Sequence, residues 1–284
     1  MARVNPGADI MKGGAGHDRY VVDNPGDMIV EDAKAGYDRV ETSLSSYTLE
    51  ANADKLVFTG GSATGNGNGL ANSILGSVGD DTLNGLGGND DIWGNAGNDL
   101  INGGSGNDND TLNGGAGVDT TAGGTGDDYY LVQTYRDIVI ENADSGVDTI
   151  DSVVNYVLPD NVEKLFISGI ATFAGGNALA NEIRDNTAAS PTTVKLDGGG
   201  GSDTLYGGGG VNIFLFKAGE ANGDTVIGFD GKGDAAGDSL VFRGYGSDAQ
   251  FVVGSGTLSI SYSGGIDVIH VDTSSLVASD YSFV

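Results

Sequence analysis

Six aspartates between Asp81 and Asp128 stand in one setting, each after a glycine-rich run, and Asp81, Asp90, Asp99 and Asp128 have a large apolar residue two places on. The units are GSVGDDTLN (76–84), GLGGNDDIW (85–93), GNAGNDLIN (94–102), GGSGNDNDTLN (103–113), GGAGVDTTA (114–122) and GGTGDDYYL (123–131). The same nine-residue pattern, GGxGxDxUx with U apolar, returns at GGAGHDRYV (13–21) and GGGGSDTLY (198–206). Glycine at positions 1, 2 and 4 permits positive φ and close backbone approach, so the first six residues can turn tightly with carbonyls facing inward. The position-6 carboxylate adds a charged oxygen to that ring. A site of about six to eight oxygens from carbonyls and carboxylates suits Ca²⁺, whereas Mg²⁺ demands tighter octahedral geometry and keeps its water.

The candidate ligands are therefore Gly13, Gly14, Gly16 and Asp18 in the first unit, and Gly198, Gly199, Gly201 and Asp203 in the last. The central array offers Gly76, Gly79, Asp81, Gly85, Gly88, Asp90, Gly94, Gly97 and Asp99. It continues with Gly103, Gly104, Gly106, Asp108, Gly114, Gly115, Gly117, Asp119, Gly123, Gly124, Gly126 and Asp128. Asp110 joins them, because the fourth unit is two residues longer.

These turns need strands to hold them. Residues 7 to 9 of each unit extend, with position 8 buried (Leu83, Ile92, Ile101, Leu112, Tyr130). One unit is half a coil and two close a full turn, which gives an all-β fold: a parallel β-roll, or right-handed β-solenoid. Units n and n+2 then stack, and the expected aspartate pairs are Asp81/Asp99, Asp90/Asp108, Asp99/Asp119 and Asp108/Asp128.

The motif resembles that of the RTX family of type I-secreted bacterial proteins, which includes haemolysins, serralysin-like proteases and mannuronan epimerase modules. The resemblance implies several bound Ca²⁺ ions, a chain exported by type I secretion machinery, and a secreted, extracellular location. The strict motif covers roughly a third of the chain.

A longer repeat organises the remainder. The stretch from Gly13 matches that from Gly123 at Tyr20/Tyr130, Asp27/Asp137, Glu31/Glu141, Gly36/Gly146, Asp38/Asp148, Tyr47/Tyr156, Leu49/Leu158 and Lys55/Lys164. Each copy closes with an asparagine unit, GNGLANSIL (67–75) and GNALANEIR (176–184). In these glycine-poor stretches Asp27, Asp38, Asp137 and Asp148 keep an Asp-x-U register and are further candidate ligands, as is Asp9 in the degraded unit VNPGADIMK (4–12). The coil is expected to run on through them with wider turns. Asn72 and Asn181 fall where the array places aspartate; an amide there can lend one neutral oxygen to a weak site or ladder with its neighbours, and the ladder is the expected role.

Five segments follow: 1–75, a first coil segment; 76–131, the main array; 132–195, a second wide segment; 196–215, a short array ending at GGGGVNIFL; and 216–284, a cap. The cap is expected to be antiparallel hairpins, from NGDTVIGFD (222–230), DSLVF (238–242) and alternating strands around Ser263. The terminus LVASDYSFV resembles an uncleaved secretion signal, and opening inside an array suggests more protein upstream.

Bulk composition narrows the function. Forty acidic against 13 basic residues leave a net charge of −27, which disfavours nucleic acid and anionic membranes as partners. About six to eight Ca²⁺ ions would cancel much of that charge, so ion binding and folding are expected to be one event. There is no cysteine, which removes disulfides and thiolate chemistry. No apolar run is long enough to span a bilayer. The first 20 residues lack the apolar core of a cleavable signal peptide.

No catalytic constellation emerges. His17 lies at a variable turn position, His270 in a late strand without an HExxH partner, and no GxSxG or GxxxxGK[ST] motif occurs. Trp93 ends a unit, and Tyr129, Tyr130 and Tyr135 mark the passage into the second wide segment. The expected protein is a non-catalytic, calcium-folded C-terminal part of a larger secreted protein. The alternatives are a polysaccharide-binding module of a carbohydrate-active enzyme and a structural adhesin or surface-layer segment.

Overall fold

A computed structural model describes residues 7–33, 36–143, 145–187, 193–231, 237–273 and 276–284. The first three residues of the VNPGADIMK unit lie outside them. Every regular element among the described residues is a strand, and the chain divides into two compact units, Met1–Asp148 and Thr149–Val284.

In the first unit successive strands alternate between two parallel sheets. One holds Arg19–Val22, Arg39–Thr42, Lys55–Phe58, Ser73–Leu75, Asp91–Ala96, Thr111–Ala116 and Tyr129–Val132; the other holds Ser46–Thr48, Thr64–Asn66, Thr82–Leu86, Leu100–Gly104, Thr120–Ala122 and Ile138–Ile140. A separate pair joins Ile10–Lys12 to Met28–Val30. Two strands thus make one coil of a parallel β-solenoid. The apolar position stacks on itself, Ile74 on Ile92 on Leu112 on Tyr130 in one sheet and Leu83 on Ile101 in the other. All six are shut from solvent.

Period-2 alternation explains why so few large residues suffice. Strand Asp91–Ala96 buries Ile92 and Gly94 and exposes Asp91, Trp93 and Asn95. Removing Ile92 from its column leaves a cavity between Ile74 and Leu112. Ile92→Ala is expected to cost about 2–5 kcal/mol, read from urea unfolding of the calcium-loaded chain.

The coil does pass through the glycine-poor segments, but not simply by widening. The step from Asp18 to Asp38 is 20 residues and that from Asp38 to Asp54 only 16. No glycine falls between Asp38 and Asp54, and Val40 still stacks directly on Leu56 across the shorter turn.

The second unit repeats the scheme. One sheet carries Thr149–Ser152, Lys164–Ile167, Glu182–Asp185, Thr204–Tyr206 and Thr225–Ile227 in parallel, and the other Tyr156–Val157, Phe173–Gly175, Thr193–Asp197, Val211–Lys217 and Ser239–Arg243. The antiparallel part is narrower than the 216–284 expected. It comprises Gln250–Val253, Thr257–Tyr262 and Gly265–Val271. NGDTVIGFD and DSLVF instead form further parallel rungs, because Asp224-x-Val226 and Asp238-x-Leu240 keep the Asp-x-U pattern. Tyr281–Phe283, in the terminal LVASDYSFV, adds a last parallel strand on Leu240–Phe242. Around it Phe216, Phe242, Phe251, Tyr245, Tyr281 and Phe283 pack with ring centroids 4.5–6.4 Å apart.

Candidate metal centre

The aspartates form ladders. Along one edge of the coil, Asp90 donates its N–H to Oδ1 of Asp110 at 2.8 Å, Asp110 to Asp128 at 2.7 Å and Asp128 to Asp148 at 2.9 Å. Along the other, Asp81 donates to Asp99 at 2.8 Å, Asp99 to Asp119 at 2.8 Å and Asp119 to Asp137 at 3.2 Å. The same bond links Asp9 to Asp27, Asp18 to Asp38 and Asp203 to Asp224.

The expected pairs Asp90/Asp108 and Asp108/Asp128 are therefore wrong, and Asp110 takes that rung. The strand decides it: Leu112 must stack on Ile92, so the residue two before Leu112 faces the ladder. The two extra residues are absorbed in the turn. Asp108 lies half-buried there and accepts the Gly88 N–H through Oδ2 at 2.8 Å.

Ladder residues that motif counting passed over are Asp54, Asp224 and Asp238. Asp54 accepts the Asp38 N–H at 2.7 Å, and Asp238 accepts that of Asn212 at 2.7 Å. None follows a full glycine frame, but each has the Asp-x-U signal. Asn72 and Asn181 stand in the ladder as expected of amides: Asn72 Oδ1 accepts the Asn68 N–H and its Nδ2 donates to the Ala53 carbonyl. Asn181 does the same with Asn177 and Val162.

The glycines divide by role. Gly14, Gly16, Gly88, Gly97, Gly104, Gly106, Gly115, Gly117, Gly124, Gly126, Gly199 and Gly201 hold positive φ. Gly117, at φ +151°, also lies against the Gly97 carbonyl, so a side chain there would meet backbone. At Gly79 a side chain would meet Ser62. The position-1 glycines Gly13, Gly76, Gly85, Gly94, Gly103, Gly114, Gly123 and Gly198 sit over their own unit's aspartate. A Cβ on Gly76 would lie 2.6 Å from Asp81 Oδ2 and 2.6 Å from the Gly94 carbonyl oxygen. Gly85 meets Asp90 and the Gly103 carbonyl, and Gly94 meets Asp99 and the Gly114 carbonyl. In these turns a carboxylate oxygen and the carbonyl of the next coil converge on the space the missing side chain leaves.

Several of those carboxylate oxygens have no partner. Oδ2 of Asp9, Asp38, Asp90, Asp99, Asp119, Asp128 and Asp203 is shut from solvent and unbonded. Native proteins rarely leave buried polar atoms unsatisfied, and a buried carboxylate needs a compensating charge. Burial, with neighbouring carboxylates adding to it, pushes Asp90 and Asp110 up to about 7, Asp99 and Asp128 to about 6 and Asp203 to about 8. Orphan anionic oxygens beside carbonyls, in a cradle only glycine leaves open, fit a hard divalent cation.

The histidines lie outside this system. His17 is exposed and its Nδ1 accepts the Tyr37 N–H at 2.8 Å; His270 is exposed on its strand. Trp93 is half out of the surface, its Nε1 donating to Asp91 at 2.6 Å. Tyr130 is buried and Tyr135 exposed.

The turns of this solenoid carry oxygen ladders and glycine cradles that fit a divalent cation. The model of the RTX calcium-binding nonapeptide repeat matches in four copies, over residues 3–23, 75–109, 108–130 and 195–220. Over these residues the chain carries RTX calcium-binding nonapeptide repeats. No curated protein matches it. Nine solved chains do; one is the extracellular lipase LipA from Serratia marcescens, 17% identical, with a TM-score of 0.28, over 89% of this chain and 45% of the lipase. The chain spans less than half the length of that protein. Among the described residues no helix is long and apolar enough to cross a membrane.

Proposed function

We propose that this chain is the calcium-folded, non-catalytic C-terminal part of a larger protein that is exported by type I secretion machinery and folds outside the cell. The observation that carries the reading is the row of buried, unpartnered Asp Oδ2 atoms facing glycine cradles. Without a cation each is a desolvated charge beside others of its sign, on a chain of net charge −27. Calcium bound at Asp90, Asp110, Asp128, Asp81, Asp99, Asp119 and their glycine carbonyls would supply the missing positive charge and link consecutive coils.

A pre-formed site does not exist in the unfolded chain, so ion binding contributes to folding free energy. Extracellular modules of this kind work at about 10⁻⁴–10⁻³ M Ca²⁺, far above cytosolic levels. The chain would stay extended inside the cell, suited to a narrow channel, and wind up once outside. At neutral pH, circular dichroism and light scattering are expected to report an expanded chain in EDTA and a compact β protein in millimolar Ca²⁺. A chain equally folded in both would defeat the reading. Export of a reporter fused to residues 216–284, dependent on a type I exporter, tests the secretion half separately.

A further inference from the structure

At two places the array exchanges its position-1 glycine for glutamate. Glu31 follows strand Met28–Val30, and Glu141 follows Ile138–Ile140, as Gly123 follows Thr120–Ala122. Ala122 pairs with Ile140, so Glu141 continues the register opposite Gly123. Each exchange is matched by a second one, since position 8 of the last full glycine unit before it is Tyr20 or Tyr130 in place of an aliphatic residue.

The two changes meet. The Tyr20 hydroxyl donates to Glu31 Oε1 and the Tyr130 hydroxyl to Glu141 Oε1. Beneath Gly13 and Gly123 the nearest atoms are the tyrosine hydroxyl and Oδ2 of Asp18 or Asp128. At Gly76, Gly85, Gly94 and Gly103 that space is bordered by aspartate and the next coil's glycine carbonyl. Here a tyrosine hydroxyl takes the place of that carbonyl and ties a glutamate carboxylate to the turn. One carboxylate oxygen each from Asp18, Glu31 and Asp38 lies within 4.8 Å of the others, and the same holds for Asp128, Glu141 and Asp148.

An independent feature points to a ligand. Glu31 is 8% exposed, Asp38 0% and Asp128 1%, yet Oε2 of Glu31 and Oδ2 of Asp38 and Asp128 have no hydrogen-bond partner. Tyr20 holds one oxygen of Glu31 and leaves the other unbonded, whereas Glu141 Oε2 accepts the Asn142 N–H at 3.2 Å and the Ser145 hydroxyl at 3.1 Å. Three converging carboxylates repel one another in a desolvated site unless a multivalent cation joins them. More ligand charge also means tighter binding of Ca²⁺.

We infer that Glu31 and Glu141 each complete a three-carboxylate calcium site, and that these two sites fill before the nonapeptide turns. The inference rests on the calcium reading above, and the test separates the two. Calcium bound to the full chain is counted by equilibrium dialysis and elemental analysis, beside calorimetric titration. The wild type is expected to show two ions in a tight first phase. Glu31→Gln/Glu141→Gln keeps the side-chain shape and an acceptor for each tyrosine. It is expected to lose those two ions, or to fill them at Ca²⁺ concentrations at least tenfold higher, while the weaker phase persists. Tyr20→Phe/Tyr130→Phe keeps every carboxylate and is expected to retain both ions.

A wild type that takes up no calcium sinks the calcium reading itself. An unchanged count and unchanged first phase in the glutamine variant overturn only the inference. Should that variant not fold, infrared spectra of wild type labelled with ¹³C-glutamate decide: a carboxylate band shift at the first two equivalents supports the sites, and its absence overturns them.

Discussion

With divalent cations stripped away, acidification from about pH 8 to about pH 4 is expected to restore β structure that neutral pH abolishes. Desolvation pushes Asp203 up to about 8, Asp90, Asp110 and Asp224 to about 7, and Asp99, Asp128 and Asp238 to about 6. An unfolded aspartate titrates near 3.9. Between those values the coiled chain holds protons that the unfolded chain has released, so its stability rises as pH falls. The gain starts as pH drops through about 8, is complete near 4, and is lost again as pH rises through the folded values. Several groups shift together, so the effect is large compared with the marginal stability of a domain. In saturating Ca²⁺ the dependence reverses, because protons compete with the ion for the same oxygens. Far-ultraviolet circular dichroism across this range, with and without Ca²⁺, checks both signs. A metal-free chain whose spectrum does not change with pH would contradict the burial of these carboxylates.

Asp110→Ala is expected to damage the coil far more than Asp108→Ala, although spacing along the motif ranks them the other way. Asp110 accepts the buried N–H of Asp90, and its Oδ2 stands beneath Gly103 with the Gly123 carbonyl. Losing it leaves a buried donor unsatisfied, at a cost of about 1–3 kcal/mol. It also removes a charged oxygen from one calcium turn, so one ion should be lost as well. Asp108 bonds the Gly88 N–H in a half-buried turn, and its loss is expected to cost about 0.5–1.5 kcal/mol, a typical net hydrogen bond. Urea unfolding in Ca²⁺ and a count of bound ions distinguish the two. Equal losses, or a larger one for Asp108, would mean the rung is set by the glycine frame and not by the strand.

That contrast shows what could be read from the residues alone. The nine-residue period carried the coil, because alternation in a strand and glycine in a turn are both local. Leu83, Ile92, Ile101 and Leu112 were legible as core for the same reason. The fourth unit was not, since a two-residue insertion can be absorbed on either side of its aspartate, and only the stacking of Leu112 on Ile92 chooses. Asp54, Asp224 and Asp238 were missed because they lack the full glycine frame, yet each sits two places before a buried apolar residue. Reading Asp-x-U before the glycines would have found them. Glu31 and Glu141 were visible as a match between distant copies, but their pairing with Tyr20 and Tyr130 needs the coil closed. The parallel rungs at Thr225–Ile227 and Ser239–Arg243 were hidden among residues that look like hairpin strands.

The ladder bonds all run one way, from the amide of an earlier aspartate to the carboxylate of a later one. The stack is therefore a zip with an arrow. A turn that docks on the amino-terminal side finds its acceptor already waiting, while one docking on the carboxy-terminal side must leave its own amide bare until the next arrives. Winding from the carboxy-terminal end backwards leaves only carboxylates open at the growing edge, groups that water or a cation can satisfy, and never a bare amide.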